Sequence, residues 1–184
     1  MLVTSALLLF FAKLPWWWWA FLVFGAVIKP LYGASNQAIT CTITSLANNG
    51  QQSSAAIDNT TGLYDDVLVV VKVKTGASGT AATGTVNIYA YGTADGGTTY
   101  GGGESGMGTN AGVTLTSPPN IRLIGVINAV ANSTTYDGGP FSVAAAFGGI
   151  LPDHWGMFVE NKTGAALDAS VGSAWYQGVQ GQVV

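Results

Sequence analysis

The sequence predicts an all-β protein, an antiparallel β-sandwich of the jelly-roll type that is preceded by a hydrophobic helix. Three observations lead to this fold class. From about Ala34 onward the chain is rich in Gly, Ser, Thr, Asn, Val and Ala, short segments alternate apolar and polar residues, and no helical period lies between them. Residues 1–33 are instead apolar and aromatic. We therefore divide the chain into an anchor helix, residues 1–33, and a sandwich domain, residues 34–184, which is large enough to bury its own core.

The anchor segment contains four consecutive tryptophans and two apolar runs, residues 6–12 and 14–28. Its charges are Lys13 and Lys29, and neither run alone reaches the ~20 residues that span a bilayer. Tryptophan favours the membrane interface, so a membrane-associated or membrane-spanning helix is the first interpretation. A cleavable signal peptide and a helix buried in a protein assembly are the alternatives. The residues assigned to the anchor are Trp16, Trp17, Trp18, Trp19, Phe21, Leu22 and Phe24.

Nine segments of the sandwich domain have the composition and spacing of strands. The clearest is 67–75, where four valines at odd positions predict a buried face. Asn48-Asn49-Gly50 predicts a tight turn, because Asn and Gly accept positive φ. Residues 177–184 are assigned to an arm that reaches a neighbour or to a frayed terminus. The predicted strands are residues 38–46, 51–57, 67–75, 85–91, 113–116, 121–130, 141–147, 155–161 and 166–176.

The composition restricts the kinds of partner. Only 8% of the residues are charged, the net charge is −3, and the sandwich domain has four scattered cations, so a nucleic-acid surface is excluded. A surface with so little charge suits a protein whose faces are covered by neighbours in an assembly. The single cysteine, Cys41, lies in an alternating stretch and is predicted to be a buried, inert thiol.

A glycine-rich stretch, residues 92–112, is the candidate contact loop. It has too many glycines to pack a core and very little charge. Its first part, residues 93–100, fits the spacing of an Asp box, in which the carboxylate caps turn amides and does no catalysis. An ordinary β-turn is the simpler interpretation. The candidate contact residues are Asp95, Tyr100 and Glu104.

No catalytic, metal or cofactor site is predicted. His154 is the only histidine, and no nucleophile motif accompanies it. The acidic pair Asp65-Asp66 and the pair Asp153-His154 are interpreted as exposed turns, because a hard cation needs six to eight oxygens from several loops. Aromatic residues that are expected to be exposed are candidates for stacking on sugar rings, although core or interface packing is more common. These are Tyr89, Tyr91, Tyr100, Trp175 and Tyr176.

Several phrases of the chain resemble a group of small structural proteins encoded by tailed bacteriophages. They are AIDN at 56–59 with LY at 63–64, VNIYAYG at 86–92, PPNIRLIG at 118–125, and PFSVAA at 140–145 with WG at 155–156 and VEN at 159–161. The resemblance covers residues 32–174 and implies a virion component built on a jelly-roll-like sandwich. Such proteins begin close to Tyr32, so the hydrophobic opening is a departure. It suggests a virus with a membrane, a helix between capsid subunits, or a start codon placed too far upstream.

The expected function is that of a non-enzymatic virion structural protein without a cofactor, such as a capsid decoration or cement protein or another lattice subunit. The expected partners are a major capsid or tail protein and copies of the chain itself, with a lipid membrane as a further candidate. The expected location is the virion, with membrane association through the anchor. The alternative is a membrane-tethered surface domain that binds glycans.

Overall fold

The computed structural model describes residues 27–100, 105–115 and 121–184, and over these ranges the fold is all-β. One 3₁₀ turn, Ala144–Phe147, interrupts the strands. The strands are β1 (Ile28–Tyr32), β2 (Gln37–Ile39), β3 (Gln51–Ser53), β4 (Ile57–Asp58), β5 (Asp66–Thr75), β6 (Thr85–Thr93), β7 (Ala111–Gly112), β8 (Arg122–Asn128), β9 (Thr135–Ser142), β10 (His154–Lys162) and β11 (Leu167–Val183). The all-β prediction is confirmed.

The strands form two antiparallel sheets. The five-stranded sheet has the order β1-β11-β5-β9, and β2 also pairs with β11. The six-stranded sheet has the order β7-β3-β10-β6-β8, and β4 also pairs with β10. Two long pairings dominate: β5 with β11, where Val71 faces Ala174, and β6 with β10, where Ile88 faces Val159.

By its contacts the chain divides into two units. Residues 31–180 form the larger unit, which contains both sheets apart from the ends of β1 and β11. Residues 1–30 together with 181–184 form the smaller one. Within the described part of the smaller unit, the backbone N–H of Val184 donates to the carbonyl of Val27 at 3.0 Å.

The main core lies between the two sheets and follows the alternation of the sequence. The odd-numbered valines of β5, from Val67 to Val73, are fully buried, while Lys72 and Lys74 point outward, as predicted. The six-stranded sheet contributes Ile88, Met157 and, at one end of β10, the fully buried Trp155. Burial of such apolar surface is the main stabilising term of the sandwich.

A second, smaller cluster covers the opposite face of the six-stranded sheet. Phe158 and Tyr91 belong to it, whereas their strand neighbours Met157 and Ala90 belong to the main core. Because successive side chains in a strand point to opposite faces, this cluster lies on the outer face of the sheet. We call it the outer cluster; its buried members are Tyr91, Met107, Val113, Ile121 and Phe158.

The N-terminal helix prediction is corrected at its C-terminal end. Ile28–Tyr32 form β1, so the last residues of the predicted helix are extended. Pro30 explains this, because the residue before a proline is biased away from the helical region. The rest of the predicted anchor, through residue 26, lies outside the described residues. In the described ranges, there is no helix with the length and apolar character needed to cross a membrane.

Three strands have bounds that differ from the predicted ones, because burial of the side chains and pairing of the backbone do not coincide. β2 ends at Ile39, although Ile43 further along the predicted strand is buried. The segment around Ile43 packs its side chains into the core without joining a ladder. The predicted strand 51–57 is broken into β3 and β4, since the backbone N–H groups of Ala55 and Ala56 donate to Thr40 and Gly108 and not to β10. Of the strand predicted at 113–116, the described residues 113–115 are not in a strand, and the pairing lies at Ala111–Gly112.

Two further assignments near the C-terminus are wrong. The strand predicted at 141–147 is β9, Thr135–Ser142, followed by the 3₁₀ turn that ends at Gly148 with φ of 78°. The arm or frayed end predicted at 177–184 is the continuation of β11 to Val183. The predicted turn at Asn48-Asn49-Gly50 is confirmed, with φ of 60° at Asn49.

Cys41 is half-buried and packs against the main core. Burial raises the pKa of its thiol from 9.0 to about 12. Because the thiolate is the nucleophile, the folded protein should react with a disulfide reagent at pH 8 roughly 1000-fold more slowly than the urea-unfolded protein. Stopped-flow or manual thiol titration of both states measures this ratio. Similar rates in the two states would show that Cys41 is not protected.

Candidate functional site

Three turns meet at one end of the sandwich, and we call them the loop end. They are residues 59–65 between β4 and β5, residues 94–100 after β6, and residues 148–153 before β10. Asp153 joins them: its carbonyl accepts the backbone N–H of Asn59 at 2.8 Å. Its Oδ2 accepts the N–H of Gly96 at 3.2 Å. The predicted contact residues Asp95 and Tyr100 both lie in this region.

Asp95 is exposed, but its carboxylate is used inside its own turn. Oδ1 accepts the backbone N–H groups of Thr98 and Thr99, both at 3.0 Å, and the hydroxyl of Thr93. These hydrogen bonds, that from Thr93 first, lower the pKa of Asp95 to about 2. The arrangement is the local capping that the Asp-box spacing implies, and it holds the shape of the turn.

The glycine-rich segment does more than the contact-loop prediction assumed. Met107 within it is buried, and the Tyr100 ring packs edge-on against Tyr91 with centroids 5.3 Å apart. Gly108 permits this, because a Cβ there would lie 2.3 Å from the Tyr100 ring and φ is 81°. The prediction that this segment cannot pack a core is therefore wrong, since it helps to cover the outer face of the six-stranded sheet. Glu104, the third predicted contact residue, lies outside the described residues.

His154 lies between two carboxylates at the loop end. Its Nε2 is 3.8 Å from Asp58 Oδ1 and its Nδ1 is 3.6 Å from Asp153 Oδ1, which is beyond hydrogen-bond distance. Each of these oxygens already accepts a shorter bond, from Thr60 in one case and from the backbone of His154 in the other. In residues 27–100, 105–115 and 121–184, no three His, Cys, Asp or Glu side chains form a group that could hold a metal ion.

The Asp65-Asp66 pair is only partly an exposed turn. Asp66 is half-buried at the start of β5, and its Oδ1 accepts the backbone N–H groups of Val67 and Ala144 at 2.7 and 2.8 Å. Its Oδ2 accepts the hydroxyl of Ser142 at 2.7 Å. The carboxylate therefore fixes the 3₁₀ turn to β5, and interpreting this residue as an exposed turn is wrong.

A groove on the outer face of the six-stranded sheet is the second candidate site, and sequence reasoning missed it. Its volume is about 440 Å³. One wall is polar and contains Gln51 and Glu160, and the rest is apolar or aromatic. The lining residues are Gln51, Tyr89, Leu115, Ile121, Leu123, Phe158 and Glu160.

Glu160 is at the centre of the polar wall and accepts four hydrogen bonds. Oε1 accepts Gln51 Nε2 at 3.0 Å and lies 3.2 Å from Lys162 Nζ. Oε2 accepts Asn87 Nδ2 at 3.0 Å and the Tyr89 hydroxyl at 3.3 Å. Burial raises the pKa of this carboxyl, but the hydrogen bonds from Gln51, Asn87 and Lys162 lower it by more, so that it lies below its ordinary value. Glu160 is thus an ionised carboxylate at neutral pH.

The other aromatic candidates have different surroundings. Tyr91 is fully buried in the outer cluster, so its proposed exposure is wrong. Tyr176 packs edge-on against Trp155 with centroids 5.3 Å apart. Trp175 lines a smaller groove of about 250 Å³ on the outer face of the five-stranded sheet, and Lys72 Nζ lies 5.9 Å from its ring centroid. Only Tyr89 combines an aromatic ring with the polar wall described above.

The predicted anchor residues Trp16, Trp17, Trp18, Trp19, Phe21, Leu22 and Phe24 lie outside the described residues. Their role therefore rests on the sequence alone. Comparison of the chain with protein-family models, with curated proteins and with solved structures found no match.

Proposed function

We propose that this chain is a non-enzymatic structural protein of a virion, a capsid decoration or cement protein or another lattice subunit, and that its sandwich is a jelly roll. Its partners in this proposal are copies of itself and a major capsid or tail protein. The low charge of the surface, the order of the strands and the apolar side chains exposed at the loop end support the proposal.

The strand order is the observation that carries the proposal. Eight strands, β2, β3, β5, β6, β8, β9, β10 and β11, lie in the orders β2-β11-β5-β9 and β3-β10-β6-β8. Along this set the chain changes sheet at every step except from β6 to β8. An eight-stranded jelly roll with two Greek keys has the same strand order, and this agreement supports the proposed fold. Viral capsid proteins and lectins use that architecture.

The loop end is the proposed lattice contact. Leu63 and Ile150 are exposed to 70% and 76% in its turns. Large apolar side chains that are so exposed lower the free energy of association when a neighbour covers them. Asp95 and Tyr100 belong to the same end, so two of the three predicted contact residues lie within the proposed surface.

The anchor segment supplies a second attachment in this proposal. Trp16, Trp17, Trp18 and Trp19 next to Lys13 suit a membrane interface or an apolar protein surface. Attachment of this segment between subunits and its attachment to an underlying bilayer would both place the sandwich at a fixed site on the particle. The location proposed is the virion, with membrane association in the second case.

Electron microscopy of the full-length protein in its native particle or membrane fraction tests the proposal. We expect the β domain to repeat on a closed shell or tube. An isolated domain on a cell membrane, with no lattice, would overturn the structural function.

A matched pair of variants tests the loop end. Ile150→Lys should reduce incorporation into particles about tenfold, because a charge would be buried in each contact. The control is Val130→Lys, because Val130 is exposed beyond the opposite end of β6 and β8. This substitution should leave incorporation unchanged. Equal incorporation of both variants would exclude the loop end as the contact.

A further inference from the structure

We propose that the groove on the outer face of the six-stranded sheet is a binding site for a neutral saccharide, with Tyr89 and Gln51 as its polar contacts and Glu160 as the residue that positions them. This inference goes beyond the lattice function and does not depend on it. It gives the glycan-binding alternative a location and a class of ligand.

The first step is the state of the Glu160 carboxylate. Four donors surround it, and a carboxylate has about four lone-pair positions. Glu160 therefore has little capacity left to accept a hydrogen bond from a ligand. Its effect is to fix the orientation of the groups that donate to it, above all the amide of Gln51 and the hydroxyl of Tyr89.

The second step is the hydrogen-bonding capacity that remains in the groove. The Tyr89 hydroxyl donates its proton to Glu160, so its oxygen can only accept from a ligand. Burial and the charge of Glu160 raise the pKa of Tyr89, which keeps the phenol protonated. Gln51 uses one N–H for Glu160 and its Oε1 for the backbone N–H of Leu115, at 3.0 Å. No described residue accepts its second N–H, which can donate to a ligand. The groove thus offers an acceptor, the Tyr89 oxygen, and a donor, the Gln51 N–H. Hydroxyl groups of a ligand match this pair, because a hydroxyl both donates and accepts hydrogen bonds.

The third step is charge. An anionic ligand would face the ionised Glu160 and the lone pairs of Tyr89, and both disfavour it. A cationic ligand would meet the ammonium of Lys162, which is 3.2 Å from Glu160 Oε1 and already balances the carboxylate. The groove therefore favours an uncharged ligand.

The fourth step is shape and apolar surface. A volume of about 440 Å³ is within the range of roughly 300–1,000 Å³ that is usual for small-molecule sites. Leu123 is 54% exposed at the groove, and the ring of Tyr89 packs against Phe158 with centroids 6.1 Å apart. Apolar and aromatic walls suit the C–H faces of a sugar ring, while the polar wall suits its hydroxyls. This combination selects a neutral saccharide over a purely apolar or purely polar ligand.

Calorimetric titration of the full-length protein tests the site, in a detergent without a sugar headgroup. The probes are lactose, cellohexaose and chitotetraose, and 3′-sialyllactose serves as the charged counterpart of lactose. We expect saturable binding of at least one neutral probe. For lactose, sialylation should weaken binding. Failure of every neutral probe to bind, or tighter binding of the sialylated sugar than of lactose, would overturn the proposal.

Matched variants then locate the binding. Tyr89→Phe keeps the ring but removes the oxygen, and it should weaken binding about tenfold. Tyr32→Phe, at an exposed tyrosine outside the groove, should have no effect. Equal affinities of these two variants would place the site elsewhere. Thermal unfolding of each variant verifies that the fold is intact.

The effect of the Glu160 charge on the choice of ligand has its own readout. Glu160→Gln removes the negative charge at nearly constant shape, so it should reduce the preference for lactose over 3′-sialyllactose. A change in stability alone would lower both affinities by the same factor and leave that ratio unchanged. An unchanged ratio would therefore contradict the selection against anionic ligands that is assigned to the Glu160 charge.

Discussion

Replacement of Asn161 by alanine is expected to destabilise the sandwich by about 3–5 kcal/mol. Asn161 is fully buried, and its Nδ2 is 2.8, 3.0 and 2.8 Å from the carbonyl oxygens of Leu46, Ala47 and Ala165. Its Oδ1 accepts the backbone N–H and the hydroxyl of Thr163 at 3.0 and 2.8 Å. One side chain therefore connects β10 to two turns, and its removal leaves several buried polar groups without partners.

Chemical denaturation gives the free energy of unfolding of the wild type and the variant, provided that the slope with denaturant is unchanged. Asn161→Asp is the informative second variant, because it keeps the acceptor for Thr163 and loses the donors. It should also be strongly destabilised. The matched control is Asn132→Ala, since Asn132 is exposed and its side chain accepts one bond, from the N–H of Thr80 at 2.9 Å. A loss at Asn161 no larger than that at Asn132 would contradict the structural role assigned here.

The sequence predicted the long strands because their side chains alternate. In β5 and β6 the alternation reflects a real division between core and outer face, so the faces of Val69 and Ile88 were predicted correctly. Period-2 burial is a strong signal where both neighbouring strands pair along the whole length. It fails around Ile43, where the same alternation belongs to a segment that packs without pairing.

The strand β9 shows why other elements could not be predicted. Its sequence contains Gly138, Gly139 and Pro140, which indicate a turn in isolation. The strand forms because it lies at the edge of its sheet, where proline is tolerated, and pairs with β5. Pairing with β5 therefore overrides the local turn signal. The apolar residues after Pro140 predict a strand at 141–147, but residues 144–147 of that segment form the 3₁₀ turn.

The groove could not be predicted because it depends on register. The polar wall comes from three strands that are far apart in the sequence. Glu160 in β10 lies opposite Gln51 in β3 on one side and opposite Asn87 in β6 on the other. Each is a polar residue at an outward position, which is unremarkable in one strand. Only the pairing of β3, β10 and β6 brings them together. The loop-end residues were found more easily, because the Asp95 turn is a local pattern.

Replacement of Trp155 by alanine is the second large effect that we expect, with a loss of about 3–5 kcal/mol. Trp155 is buried in the main core at the start of β10, where its neighbours in register are Ile57 and Gly92. Its ring also packs edge-on against Tyr176 with centroids 5.3 Å apart. Alanine would leave a cavity that the two sheets can close only by moving together, so the lost contacts would not be recovered.

Trp175→Ala is the matched control, because the same atoms are removed from the outer face of the five-stranded sheet. Trp175 lies opposite Val70 in β5 and lines the smaller groove, so its loss opens no cavity between the sheets. We expect a cost of about 1 kcal/mol for this variant. Denaturant midpoints of Trp155→Ala and Trp175→Ala, measured under the same conditions, compare the two losses of stability. Equal losses would mean that the inner and outer faces of the sandwich are not distinguished as described.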